Sequence, residues 1–409
     1  MEAFMEKVYI TGAKRTPIGA FMGALSKVSA GDLGSAAIKG ALEQSNIDAA
    51  DIDEVAMGNV LPAGQGQGVA RQAAIKAGIP ANIPAYGVNM VCGSGLKAVM
   101  QAFLSIKAGE SQVVVAGGTE SMSQAPYLIP AKTRDGIKMG NFEVKDHLLE
   151  DGLTDVFNDY HMGCTAENIV RKYGISREVQ DLFAHQSQQK AIQSVDAGAF
   201  KAEIVPVETK VKRETVIVDT DEYPNRKSNL EKLSTLRPAF EKEGSVTAGN
   251  ASGINDGASA TVVVSESYAK KHQLTPLVEI LAIGQSGVDP ALMGLGPTPA
   301  IQKALKKANV SLADIDVIEL NEAFASQSLG VIHELAERFE LSEESIQAKT
   351  NLNGGAIALG HPLGASGNRI LVTLIYLLKK RKQRYGLASL CIGGGMGVAV
   401  VIENTDYQK

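Results

Sequence analysis

Cys92 stands in the run Asn89-Met90-Val91-Cys92-Gly93-Ser94-Gly95, after an apolar stretch (Tyr86–Val91) that predicts a strand and on a Gly-rich turn that opens a helix. Unpaired N–H groups and the dipole at a helix N-terminus stabilise a thiolate, so a pKa that starts at about 8.5 is expected to fall there. This is an address for a nucleophile, although most free cysteines are small buried hydrophobes. Gly360-His361-Pro362-Leu363-Gly364 sets an imidazole beside a proline. Proline fixes its own φ and restricts the residue before it, so the ring rides on stiff backbone and suits a positioned base. A second thiol, Cys391, ends a strand in Cys391-Ile392-Gly393-Gly394-Gly395. There Gly393 lets backbone approach a ligand and offers an N–H to an oxyanion. The alternative is a core cysteine beside a bulge.

Asn321-Glu322-Ala323-Phe324-Ala325 follows the strand end Ile318-Glu319-Leu320. An amide and a carboxylate there point to a site in a doubly wound sheet, while helix capping is the commoner use of such an Asn. His161-Met162-Gly163 precedes a helix expected over Thr165–Tyr173 and carries little by itself. Two motifs are decoys. Gly93-x-Gly95-x-x-Ala98 with Glu120 further on imitates a dinucleotide fingerprint, and Ser94-x-x-Lys97 imitates a serine hydrolase without its companion motifs. His147, His185, His272 and His333 are expected to serve structure, and His333-Glu334 lacks the second His of a zinc-protease helix.

The elements that must position these groups are betrayed by an internal repeat. Residues 37–53 (AIKGALEQSNIDAADID) align without gaps with 300–316 (AIQKALKKANVSLADID), with nine identities in 17 positions. Each copy reads as helix, Asn turn, strand. The Cys92 turn, a helix to about Ala108 and the strand from Val113 to Gly117-Gly118 likewise match Gly364-Ala365-Ser366-Gly367, a helix to about Lys380 and the strand Ala388–Ile392. Short apolar strands flanked by helices predict buried, mostly parallel pairing in a duplicated α/β fold. Residues 123–249 break the rhythm with a polar helix near Arg177–Ala197 and a basic, turn-rich stretch from Lys210 to Arg237. Asn250–Ser265 then resumes the pattern as a Gly-rich loop, helix start and strand. The expected division is one half from 1–122 with 250–275, an inserted loop domain over 123–249, and a second half over 276–409.

The 409 residues include 42 glycines, about a tenth against a usual ~7%, so close backbone approach is expected. A formal net charge of −5 provides no field for duplex nucleic acid or an anionic membrane, and neither partner is expected. The three cysteines form no C-x-x-C, which argues against a disulfide framework, a zinc site or any metal, and for a reducing compartment. No apolar run approaches ~18 residues and the chain enters Val8-Tyr9-Ile10 without a leader, so a soluble, cytoplasmic protein is expected.

With these residues in view, the sequence resembles the thiolases over essentially its whole length, on Asn89-Met-Val-Cys92-Gly-Ser-Gly, Asn321-Glu-Ala-Phe-Ala, Gly360-His-Pro and Cys391-x-Gly-x-Gly in family order. The resemblance implies a duplicated βα fold, two similar halves with mixed central sheets covered by helices, plus the inserted loop domain. It implies Cys92 as the acylated nucleophile, His361 as its base, and Cys391 as the acid/base at the substrate α-carbon. One oxyanion hole would use the His361 side chain and a water held by Asn321, the other the N–H groups of Cys92 and Gly393. Leu153, His161, Met162, Met293 and Phe324 would line the acyl and pantetheine pocket, Ser252 would touch pantetheine, and Arg226 would meet the nucleotide of coenzyme A.

The implied reaction is ping-pong Claisen condensation of two acetyl-CoA to acetoacetyl-CoA and CoA, or the reverse thiolysis. No cofactor is implied beyond the coenzyme A of the substrate, and a homotetramer is. Two departures from the family pattern stand out: the long, charged segment 331–349, and Cys164 beside the pocket, an oxidation-sensitive thiol if exposed. The alternatives are a 3-ketoacyl-CoA thiolase of broader chain length, a ketoacyl synthase, which does not need Cys391, and a non-catalytic acyl-CoA-binding protein.

Overall fold

The computed structural model describes residues 6–211 and 214–407. Its frame is a ten-stranded mixed sheet: β1 (Val8–Arg15), β2 (Gly19–Ala20), β3 (Glu54–Gly58), β4 (Ala85–Val88), β5 (Val113–Ser121), β6 (Asn255–Ser265), β7 (Val278–Gly287), β8 (Val317–Leu320), β9 (Tyr385–Ile392) and β10 (Met396–Asn404). The path runs β8-β9-β10-β7-β1-β6-β5-β3-β4, with β2 beside β6. The duplication is visible in that order. From the β1–β7 junction outward, β6, β5 and β3 on one side answer β10, β9 and β8 on the other.

Three pairs are parallel (β3 with β4 and β5, β8 with β9). The pairs through β1, β6, β7 and β10 are antiparallel, which corrects the expectation of mostly parallel pairing. Fully apolar strands report helices on both faces, and here antiparallel strands are covered in the same way. Helices α1 (Ala30–Ser45) and α2 (Val69–Lys76) cover one outer face, while α6 (Pro297–Ala308) and α7 (Ala325–Phe339) cover the other. Between the half-sheets lie α3 (Ser94–Ala108) and α8 (Leu363–Arg381). Val113 and Val115 therefore face α1, and their alternates Val114 and Ala116 face α3 and α8.

The repeated Asn has a backbone task. Asn46 and Asn309 end α1 and α6 in the left-handed region, at φ 54° and 53°, a conformation Asn tolerates better than most residues. Each helix then turns back into its strand.

The central helices meet at their N-terminal turns with no room for a side chain. A Cβ on Gly95 of α3 would lie 2.8 Å from the Gly364 carbonyl, one on Gly367 of α8 would lie 2.5 Å from Leu96 N, and one on Gly118 of the neighbouring β5 would lie 1.8 Å from the same Gly364 carbonyl. Backbone contact at this crossing brings the turn before α3, which holds Cys92, to the turn before α8, which holds His361.

The intervening segment carries α4 (Met162–Tyr173), α5 (Arg177–Asp196) and a π-helical turn at Leu148–Leu153. The stretch expected to be turn-rich contains a hairpin pairing Val207–Val211 with Glu214–Val218, and no helix starts between Asn250 and β6. Buried Arg15 ties the segment to the sheet through Glu203 at 2.6 Å and a bidentate contact with Asp221. No helix among the described residues is long and apolar enough to cross a membrane.

Candidate active site

β4 ends at Val88, and the chain then makes a tight turn to present Cys92. Val91 sits at φ 46°, a region that costs a β-branched residue roughly 1–3 kcal/mol and persists only where neighbours impose it. They do so here. Asn89 Oδ1 accepts from Val91 N–H (3.0 Å), while the Ser94 hydroxyl accepts from Met90 N–H (2.9 Å) and donates to Val91 O (2.6 Å). Ser94 is thus a buried brace, consistent with discounting the hydrolase pattern. Cys92 is half-buried, one residue before the Gly93 cap of α3. Burial pushes its thiol up to about 11, against the pull of the Gly393 and Cys92 N–H groups and with a small push from the Glu120 charge. The sequence expectation was a lowered pKa. Desolvation outweighs the helix terminus here.

His361 is fixed from three sides. Gly360 adopts φ 101°, and a Cβ there would meet the Asn255 side chain at 2.4 Å. Asn255 Oδ1 accepts from His361 N–H (2.9 Å), and its amide donates to Gly19 O (2.9 Å). The ring's Nδ1 lies 2.6 Å from the Ser366 hydroxyl, which is 2.9 Å from the Pro362 carbonyl. The Ser366 proton goes to that carbonyl, so Nδ1 must be the protonated nitrogen that donates to Ser366. Nε2 is left with its lone pair, buried and without a partner among the described residues. Burial, helped by Arg369, pulls the imidazole down to about 3. It is a neutral base.

Cys391, at the end of β9, is buried and its thiol is pushed up by desolvation and then by Cys92, so the two sulfurs lie within electrostatic reach. Two residues on, Gly393 lies against the turn that presents Cys92. A Cβ on Gly393 would lie 3.3 Å from Met162 Sδ and 3.5 Å from Val91. Asn321 is fully buried, and neither its Nδ2 nor its Oδ1 has a partner among the described residues. Glu322 is different: it accepts from Ser187 (2.6 Å), Asn351 (2.8 Å) and Ile357 N–H (3.3 Å) and holds the segment leading to His361.

Around the sulfurs, Met162, Met293, Phe324 and Cys391 pack in one apolar cluster. Leu153 and Cys92 join another with Leu148 and Leu363. His161 caps α4, its Nδ1 accepting from Gly163 N–H (3.0 Å), and stacks on Phe240 at 4.5 Å, which meets Phe324 edge-on at 6.0 Å. Ser252 N–H donates to Ala323 O (2.9 Å), joining the Gly-rich loop to the Asn321 loop. Arg226 lies on the wall of a cavity of about 790 Å³ with Lys227, Lys232, Leu233, Leu236 and Gly249, its guanidinium held by Asp196. Cys164 is half-buried, 3.9 Å from Phe240 O, and its thiol is raised by burial.

Residues 8–267 match the family description "Thiolase, N-terminal domain" and residues 274–404 match "Thiolase, C-terminal domain". The chain belongs to the thiolase family. It is 53% identical over 399 residues to an acetyl-CoA acetyltransferase of Escherichia coli K12, covering 98% of this chain and 99% of the relative. The crystal structure of the Bacillus anthracis acetyl-CoA acetyltransferase superposes with a TM-score of 0.93 at 43% identity, covering 98% of this chain and 99% of that one. Human mitochondrial 3-ketoacyl-CoA thiolase in complex with CoA gives 0.91 at 44%, covering 98% of both chains.

In this thiolase, sequence reasoning missed Asn255, Ser366 and Phe240. Ser366 was legible in principle: five residues after His361, it lies one helical turn from Pro362, within reach of the ring. Phe240, in an unpatterned polar stretch, sends no such signal. The remaining histidines serve structure as expected where partners are seen: His147 pairs with Asp151, His333 with Glu343, and His272 stacks on Tyr268.

Proposed function

We propose that this thiolase is an acetyl-CoA C-acetyltransferase whose chemistry is divided among Cys92, His361 and Cys391. His361 Nε2 takes the Cys92 proton, and the thiolate attacks the thioester carbonyl of one acetyl-CoA. The N–H groups of Cys92 and Gly393 receive the tetrahedral oxyanion. The thioester bond breaks, and Cys391 gives its proton to the departing CoA sulfur, leaving acetyl-Cys92, a Cys391 thiolate and an imidazolium. The Cys391 thiolate then removes an α-proton from a second acetyl-CoA. Its enolate oxygen is held by the His361 Nε2–H and a water on the Asn321 amide. Carbon attacks the acetyl group, Cys92 leaves as thiolate and recovers its proton from His361, and acetoacetyl-CoA departs. Every proton taken is returned within the cycle.

The observation that carries this reading is that one β9–β10 turn brings both Cys391 and the Gly393 N–H to the Cys92 turn: a Cβ on Gly93 would lie 2.3 Å from Ile392, and one on Gly393 would lie 3.5 Å from Val91. A nucleophilic thiol alone would need neither. Burial that raises Cys391 makes its thiolate, once formed, a strong base suited to a carbon acid. The walls formed by Leu153, Met162, Met293 and Phe324 favour an acetyl-sized group, and His161, Ser252 and Arg226 are assigned to pantetheine and nucleotide. The cavity beside Arg226 supports this, with Lys227 and Lys232 for phosphates and Leu233 and Leu236 for the apolar arm.

Residues 123–249 act as the coenzyme A lid between halves formed by 1–122 with 250–275 and by 276–409. The lid exposes Tyr127 (69%), Met139 (96%), Val156 (81%) and Phe157 (69%), and β4 is an open edge, which supports self-association; a homotetramer is the expected assembly and the cytoplasm the expected compartment. Light scattering after size exclusion tests the assembly. Thiolysis of a 3-oxoacyl-CoA series tests the activity: a maximum at four carbons is expected, and one at six or more supports the broader 3-ketoacyl-CoA thiolase instead.

A further inference from the structure

Glu120 closes β5 at the point where α3 and α8 begin, and it is fully buried. Four donors converge on its carboxylate. Val60 N–H (2.9 Å), Leu61 N–H (3.1 Å) and the Asn59 amide (2.9 Å) come from the loop after β3, and Gly364 N–H (2.9 Å) comes from the first turn of α8. That last donor is one of the N–H groups a helix leaves unpaired at its start. The loop after β3 belongs to the half that presents Cys92, and Gly364 lies three residues beyond His361. One side chain therefore spans the seam between nucleophile and base.

Two helix N-termini also converge here, each with partial positive charge, and a carboxylate offsets both. The charged or titratable groups that face it are Asp256 on neighbouring β6, whose carboxylate accepts from Ser123, and the thiol of Cys92. The neutral His361 ring lies on the adjoining turn.

We infer that Glu120 is a positioning residue for the thiolase reaction: its carboxylate latches the His361 turn to the Cys92 half, sets the approach of imidazole to thiol, and places a negative charge facing that thiol. This goes beyond the roles assigned above and rests on the Cys92–His361 pairing. Burial against these four donors leaves the carboxyl at about 7, so its charge is present on the alkaline side of neutrality, where the thiol titrates.

The test compares Glu120→Asp and Glu120→Gln in acetoacetyl-CoA thiolysis, with the pH dependence of Cys92 alkylation by iodoacetamide read on its own peptide by mass spectrometry. Asp keeps the charge but is one methylene too short to reach both loops. Its kcat should fall about a hundredfold with KM within about twofold, and its alkylation midpoint should stay at the wild-type value. Gln removes the charge, so the kcat loss should come with a midpoint moved to lower pH. A purely structural role would not move that midpoint. The inference is overturned if Glu120→Asp retains kcat, or if folded Glu120→Gln alkylates with the wild-type midpoint. If Glu120→Gln does not fold, the kcat against KM split of Glu120→Asp decides. Failure of the pairing itself is seen separately: wild-type enzyme would then not acetylate Cys92 from acetyl-CoA.

Discussion

The resting state of Cys92 and His361 should be a neutral pair. With the thiol at about 11 and the imidazole at about 3, moving the proton from sulfur to nitrogen costs on the order of 10 kcal/mol, at about 1.4 kcal/mol per pKa unit. The new ion pair would recover at most about 4 kcal/mol, the value for ~4 Å at an effective dielectric of ~20. The neutral form wins by several kcal/mol. The rate of Cys92 alkylation by iodoacetamide should accordingly climb through pH 8–10 and show no plateau on the acid side, and the 240 nm thiolate absorbance should be absent at neutral pH. A flat, fast alkylation rate from pH 5 to 8, as a preformed thiolate–imidazolium pair produces, would refute the reasoning.

Cys391→Ala should still acetylate Cys92 and release one CoA, more slowly because CoA then leaves as the unprotonated thiolate, while condensation should fall by about 10²–10⁴ because no base reaches the α-carbon. Mass spectrometry of the Cys92 peptide beside a condensation assay separates the two steps, and an unaffected condensation rate excludes the role. Ser366→Ala strands a buried Nδ1–H and frees the ring, a loss of about 1–3 kcal/mol that predicts roughly 5- to 150-fold lower kcat with little change in KM. Steady-state kinetics decide this, and a variant changed only in KM counts against the assigned tautomer. Gly118→Ala would drive a methyl from β5 to 1.8 Å from the Gly364 carbonyl in the first turn of α8, so a loss above about 4 kcal/mol is expected. Thermal unfolding at the wild-type Tm would show that the backbones do not meet as described.

Much of this fold was legible because its repeat is written in residues with backbone tasks. Asn46 and Asn309 recur since each must end a helix in the left-handed region, and glycines recur at the crossing of α3 and α8 since only they fit. Strand direction was not legible. An apolar run such as Val262-Val263-Val264 reports cover on both faces, and parallel and antiparallel neighbours satisfy that equally. At the site, the residue types and loops were readable, but the direction of the Cys92 shift was not. A helix N-terminus is visible in a sequence, whereas desolvation by Leu363 and Ile392, supplied from the other half of the chain, appears only once the halves are assembled.

That assembly also explains why a duplicated fold suits two thiols. Either sulfur on its own, beside a helix start or a strand-end turn in water, would titrate near its ordinary value. Placed in a dry seam, both are raised by desolvation, and the Cys92 charge raises Cys391 further. A site that disfavours two thiolates at once fits the proposed division of roles, in which Cys92 carries the charge while attacking and Cys391 carries it once Cys92 is acetylated and neutral. Acylation of the first sulfur removes the charge that would have opposed ionisation of the second. On the proposed roles, then, the Cys391 thiolate is disfavoured while Cys92 is the attacking thiolate and is relieved of that opposition once the acetyl group is in place.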